Sequence, residues 1–115
     1  MIFHMNSINY PMCFDTLANG LRLQILKALE EKPMYVDELA KKLGVEQSRL
    51  SHSLKMLRTC NYVDVKANGK QHIYSIKDGV LEVNPHGKEK LTIFDVMDNH
   101  VENFCHNECK KENCR

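Results

Sequence analysis

The sequence predicts a mainly α protein carrying one small β-hairpin. Three observations support this. Apolar residues recur at three- and four-residue steps along most of the chain, Asn68-Gly69 stands between two alternating runs, and glycine or proline punctuates the helical stretches. At 115 residues the chain fits one domain, read here as 1–115. Its 43% hydrophobic and 27% charged residues are an ordinary globular balance, which excludes a disordered chain. No apolar run approaches the ~18 residues of a membrane span. Met1 to Phe14 has no basic start and is interrupted by His4, Asn6 and Asn9, so it does not read as a signal peptide. The expected location is cytoplasmic, a reducing compartment.

The elements follow in order. Phe14, Leu17, Ala18, Leu21, Ile25, Leu26 and Leu29 form one helical stripe, bent at Asn19-Gly20, which predicts helices over 9–18 and 20–30 ended by Pro33. Val36, Leu39, Ala40 and Leu43 mark a short helix. Asp37 and Glu38 lie in its first turn and Lys41 and Lys42 in its last, the charge order that suits the helix dipole. Gly44 stops it. A second helix follows at once, about Glu46 to Cys60, with Leu50, Leu54 and Leu57 as its apolar stripe. Two helices joined by a three- or four-residue turn with glycine are the helix-turn-helix pattern, placed at 35–60.

Alternation through Tyr62 to Lys66 and Gln71 to Ile76, on either side of Asn68-Gly69, predicts a hairpin at 62–76. A hairpin directly after such a helix is a wing, so the fold class is winged helix-turn-helix. After a connection with Gly79, Pro85 and Gly87, the helical period returns through Leu91, Phe94, Met97, Val101 and Phe104, predicting a dimerisation helix at 88–105. That stripe is too apolar to stay wet, and a partner helix from a second subunit is its natural cover.

Net charge is only +1, but it is unevenly placed. Residues 41–70 hold seven basic and two acidic groups, while 1–40 and 77–115 each come to −2. A localised basic patch is the footprint that matters for phosphate contact. In helix-turn-helix proteins the second helix enters the major groove with its N-terminal side chains at base edges. Here those are Gln47, Ser48, Arg49, Ser51 and His52. Glutamine can bond an adenine edge bidentately and arginine a guanine edge. Lys55, Arg58, Lys66 and Lys70 suit phosphates. A solvated basic face would explain an isolated charged helix, but the turn, the wing and the charge partition together point to DNA.

These residues resemble ArsR/SmtB-type regulators. The likeness runs through Phe14 to Ile25-Leu26, Val36-Asp37-Glu38-Leu39-Ala40, Gln47 to Leu57 and Ile73-Tyr74-Ser75-Ile76, and covers roughly 10–78. It implies a homodimer whose N- and C-terminal helices form the interface, a palindromic double-stranded operator, and release when an inducer, often a metal ion, binds. Two inducer motifs of such regulators are absent. Tyr35 and Asp37 stand where a Cys-x-Cys pair would be, and Asp78 and Val80 where an Asp-x-His would follow the wing. Asn61 replaces the usual glycine after the recognition helix, a mild change because asparagine tolerates positive φ.

Of five cysteines, three crowd the tail at 105–115. An odd number in a cytosolic chain reads better as metal or redox chemistry than as a disulfide framework. Cys105 and Cys109, four apart, share a helix face and can close on one metal, with Cys114 as a third ligand. Three thiolates suit arsenite, cadmium or lead, and adding His106 or His100 suits zinc. Cys13, on the N-terminal helix, is a further candidate donor. Lys110 and Lys111 favour thiolate there. Cys60 reads as a buried space-filler, and His4, His72 and His86 as solvated or structural.

The expectation is therefore a repressor released from its operator by a soft metal or metalloid at C-terminal cysteines. A thiol-redox-responsive regulator of the same fold and a non-sensing DNA-binding module are the alternatives. An enzyme is not expected, because no Ser/His/Asp set, phosphate loop or acid/base pair is present.

Overall fold

The computed structural model describes residues 9–83 and 87–105. They fall into two compact units, Met1–Lys77 and Asp78–Arg115. The first unit holds α1 (Asn9–Leu17), α2 (Gly20–Glu31), β1 (Met34–Tyr35), α3 (Val36–Leu43), α4 (Gln47–Thr59), β2 (Val63–Asn68) and β3 (Gln71–Ile76).

Local chemistry sets the helix boundaries. The Asn19 side chain accepts from the Arg22 amide at 3.1 Å and so caps the start of α2. Glu38 reaches back to accept from the Tyr35 amide at 3.0 Å at the start of α3. Gly44 ends α3 at φ 67°, with its amide on the Ala40 carbonyl at 2.8 Å, the left-handed stop expected of glycine. Residues 44–46 then form the three-residue turn into α4. After α4, Asn61 takes φ 63° in the place of a glycine, and the Tyr62 amide returns to the Leu57 carbonyl at 2.9 Å.

Helices α2, α3 and α4 pack on one another. Their apolar stripes meet in a core whose fully buried side chains are Ile25, Leu26, Leu39, Leu50, Leu54, Leu57 and Val63. Each such side chain contributes about 1.5–3 kcal/mol on leaving water, enough to fix the angle at which α4 presents its opposite face.

The hairpin pairs Val63 with Ile76 through to Asn68 with Gln71. Its two-residue loop is therefore Gly69-Lys70, with Gly69 at φ 67°, one residue later than Asn68-Gly69. The sheet also has a third strand that the sequence did not announce. β1 pairs Met34 with Tyr74 and Tyr35 with Ile73, giving the order β1-β3-β2.

The second unit holds α5 (Ile93–His100), followed by a π-helical turn at Val101–Cys105. The helix begins five residues later than the 88 expected. Thr92 caps it, its hydroxyl accepting from the Phe94 amide at 3.2 Å while Asp95 accepts from the Thr92 amide at 2.8 Å. Residues 87–91 precede it without helix, and Ile93 donates to the Leu81 carbonyl at 2.9 Å. Val96, Met97 and Phe104 are exposed on this segment, Phe104 to 71%. No helix among the described residues is long and apolar enough to cross a membrane.

Candidate nucleic-acid interface and thiol sites

Helix α4 buries Leu50, Ser53, Leu54 and Leu57 and turns Gln47, Ser48, Arg49, Ser51, His52, Lys55 and Arg58 to solvent. No acidic residue lies within the helix. Lys66 and Lys70 are exposed on the wing. Among the described residues, no ion pair takes up Arg49, Lys55, Arg58, Lys66 or Lys70. The acid on β2, Asp64, is instead 3.5 Å from Lys77. The exposed face of α4 and the wing tip therefore offer cations with no internal claim on them.

Two contacts that sequence reasoning missed shape this face. Gln47 donates to Asp37 at 2.7 Å, which ties the first residue of α4 to the first turn of α3. Asn68 donates to the Tyr35 hydroxyl at 2.7 Å, which ties the wing to β1. Between them lies a notch of about 230 Å3 lined by Tyr35, Asp37, Gln47, Ser51, Lys70 and His72, among others. His72, expected to be isolated, thus stands opposite the N-terminal turn of α4. A strand of two residues gives no periodic signal, so neither Tyr35 nor its partner could be placed from the sequence.

Arg22 is buried at 9% exposure, and its guanidinium closes the end of α1. It donates to the Thr16 carbonyl at 2.6 Å and the Asp15 carbonyl at 3.5 Å, and lies 3.3 Å from the Met56 sulfur on α4. A cation on the last carbonyls of a helix is favoured by its dipole.

The thiols divide differently from the sequence expectation. Cys60 is half-buried, not sealed in, and has polar neighbours on α1 where simple space-filling was expected. Its sulfur is 3.1 Å from the Thr16 hydroxyl. Burial first, and then the neighbouring Cys60, push the Cys13 thiol above its ordinary range. Tyr62 donates to the Cys13 carbonyl at 2.9 Å, and burial raises its phenol as well. In the second unit Cys105 is half-buried, and His100 stacks on Phe104 at 5.9 Å between ring centres. His106, Cys109 and Cys114 lie outside the described residues. Among the described residues no group of three His, Cys, Asp or Glu side chains could hold a metal ion.

The helix-turn-helix and its exposed basic face fall within a known sequence profile. Residues 19–65 match the family described as bacterial regulatory protein, arsR family. Over that stretch the chain is similar to the ArsR family. The HTH-type transcriptional regulator NmtR of Mycobacterium tuberculosis is 40% identical over 64 residues, which are 56% of this chain and 53% of that protein. The chain spans about half the length of the curated relatives it matches. Among solved structures, HlyU from Vibrio cholerae has a TM-score of 0.60 at 25% identity, the match covering 90% of this chain and 99% of that one. The homodimeric winged helix-turn-helix DNA-binding domain Mb0332 from Mycobacterium bovis has a TM-score of 0.56 at 30% identity, covering 58% of this chain and 62% of its own. The matched family is one of bacterial regulatory proteins, and NmtR is a transcriptional regulator.

Proposed function

We propose that this chain is a sequence-specific DNA-binding transcriptional repressor of the ArsR type. It acts as a homodimer on a palindromic operator and leaves it when a soft metal or metalloid binds the C-terminal cysteines. The observation that carries the DNA reading is the exposed face of α4, free of acids, beside a wing whose lysines have no ion-pair partner among the described residues. In this reading Gln47, Ser48, Arg49, Ser51 and His52 meet base edges, and Lys55, Arg58, Lys66 and Lys70 meet phosphates. The 2.7 Å bond to Asp37 fixes Gln47, so its amide reaches a base in a set orientation or exchanges partners on binding.

The dimer reading rests on the exposed apolar residues of the terminal helices, Met12 and Phe14 on α1 and Val96 and Met97 on α5. The homodimeric state of the similar Mb0332 domain supports it. Two recognition helices must meet grooves ~34 Å apart, so a small change in dimer geometry weakens binding to both half-sites. A coupling of ~1–3 kcal/mol suffices for switching. For the inducer, Cys105, Cys109 and Cys114 supply soft sulfur ligands suited to arsenite, cadmium or lead, and His100 or His106 would bring the set toward zinc. Cys13, on α1, is a further candidate donor.

The test is fluorescence anisotropy of the reduced protein on its own upstream DNA, titrated with arsenite and then cadmium. Release at near-stoichiometric ligand is expected, and Cys105→Ser or Cys109→Ser should keep DNA binding but lose release. Tight binding that ignores both ions would overturn the sensor reading and leave the DNA reading standing.

A further inference from the structure

Cys13 and Thr16 are three residues apart on α1 and so share the face turned toward the C-terminal end of α4. Cys60 is the residue that caps that end. Thr16 spends its one hydroxyl proton on the Met12 carbonyl at 3.0 Å, so across the 3.1 Å contact the Cys60 thiol is the donor and the Thr16 oxygen the acceptor. Cys13 lies one turn before Thr16 on the same face of α1, and Cys60 is the neighbour that, after burial, raises its thiol. The two thiols and the Thr16 hydroxyl thus stand together where α1 meets the end of α4. Neither sulfur is sealed from solvent, since both residues are half-buried. The Tyr62 hydroxyl on the Cys13 carbonyl holds this turn of α1 against the start of the wing at 2.9 Å.

We propose that Cys13 and Cys60 form an oxidisable dithiol site, in which a peroxide joins the two sulfurs and ties α1 covalently to the end of the recognition helix. One thiol, as thiolate, attacks a peroxide oxygen. The O–O bond breaks, the sulfur becomes a sulfenic acid and, for hydrogen peroxide, the first water leaves. The second sulfur then attacks the sulfenic sulfur, the S–O bond breaks and a second water departs as the S–S bond forms. Two thiols lose two electrons and two protons, and the peroxide is reduced to two waters. The bridge fixes α1, the helix whose Met12 and Phe14 are exposed, relative to the element that presents the basic face. It needs neither DNA nor metal, so its failure would leave the proposed function untouched.

The test uses the reduced full chain treated with hydrogen peroxide, alkylated with iodoacetamide and digested with trypsin without reduction. Cleavage after arginine and lysine places Cys13 alone in Met1–Arg22 and Cys60 alone in Thr59–Lys66. Mass spectrometry should find these two peptides linked. In the variant Cys105→Ser/Cys109→Ser/Cys114→Ser, free thiols should fall from two to none, the five cysteines less the three replaced. Recovery of both peptides alkylated and unlinked, or linkage of Cys13 or Cys60 only to tail peptides, would overturn the proposal. So would over-oxidation of Cys13 or Cys60 to a sulfonic acid in place of a bridge.

Discussion

Replacing the two wing lysines tests the phosphate-facing role in one number. Lys66 and Lys70 are exposed and take part in no ion pair among the described residues. Lys66→Ala with Lys70→Ala should therefore leave the fold intact, within the ~0.5 kcal/mol typical of free surface positions. In the proposed dimer the change removes two cations from each of two wings. Each phosphate contact contributes about −0.9 to the slope of log K against log salt on duplex DNA. Loss of four contacts should make the slope shallower by about 3.6, and Lys66→Ala alone by about 1.8. The loss should be the same for the protein's own upstream DNA and for a scrambled duplex, because phosphates carry no sequence information. Anisotropy titrations between 50 and 200 mM salt, a range on the order of that over which such slopes are read, supply the measurement. An unchanged slope with unchanged melting would refute the argument, because it would place the wing away from the backbone.

The remaining predictions concern the scaffold. Arg22→Met keeps an apolar side chain in place but strips the Thr16 and Asp15 carbonyls of their donor. It should cost about 2–4 kcal/mol, or roughly 10 °C in thermal unfolding followed by circular dichroism, and a shift under about 2 °C would refute the capping role. Leu54→Ala empties a fully buried position at the centre of α4 and should cost about 3–5 kcal/mol in urea unfolding. A cost below about 1 kcal/mol would mean that α4 is not seated on α2 and α3 as described. The raised Cys13 thiol and Tyr62 phenol set an alkaline limit. Each binds its proton more tightly when folded, so the stability it contributes is complete below the unfolded value and is lost as pH rises through the folded one. Chemical unfolding should therefore show stability falling from about pH 9 upward, and Cys13→Ser should reduce that slope. A flat profile to pH 11, on the order of two units above the ordinary thiol value, would contradict the burial of these groups.

Much of the fold was legible because its signals are periodic. Leu50, Leu54 and Leu57 announced the buried side of α4, and by difference its exposed face. Gly44 and Asn61 marked two stops where the backbone takes positive φ. The two-residue β1 was not legible, since no period can be read from Met34-Tyr35, and the Tyr35 bond that steadies the wing went with it. The late start of α5 is written in the sequence. Thr92 and Asp95 have the spacing of a capping box, but the apolar stripe reached back to Leu91 and drew the boundary with it. The Cys13–Cys60 pairing spans 47 positions and depends on how α1 packs against α4, which no local spacing encodes. The same holds for Arg22, whose partners are carbonyls and a thioether with no charge pattern to betray them.

The central claim is that α4 reads sequence. The most direct measurement compares, at one salt concentration, the affinity of the reduced protein for its own upstream duplex and for a scrambled duplex of equal length and composition. The account predicts a ratio of about 1,000 or more, collapsing toward one when Arg49 is replaced by alanine. A ratio near one for the unaltered protein would contradict it, leaving a basic surface that holds any duplex equally.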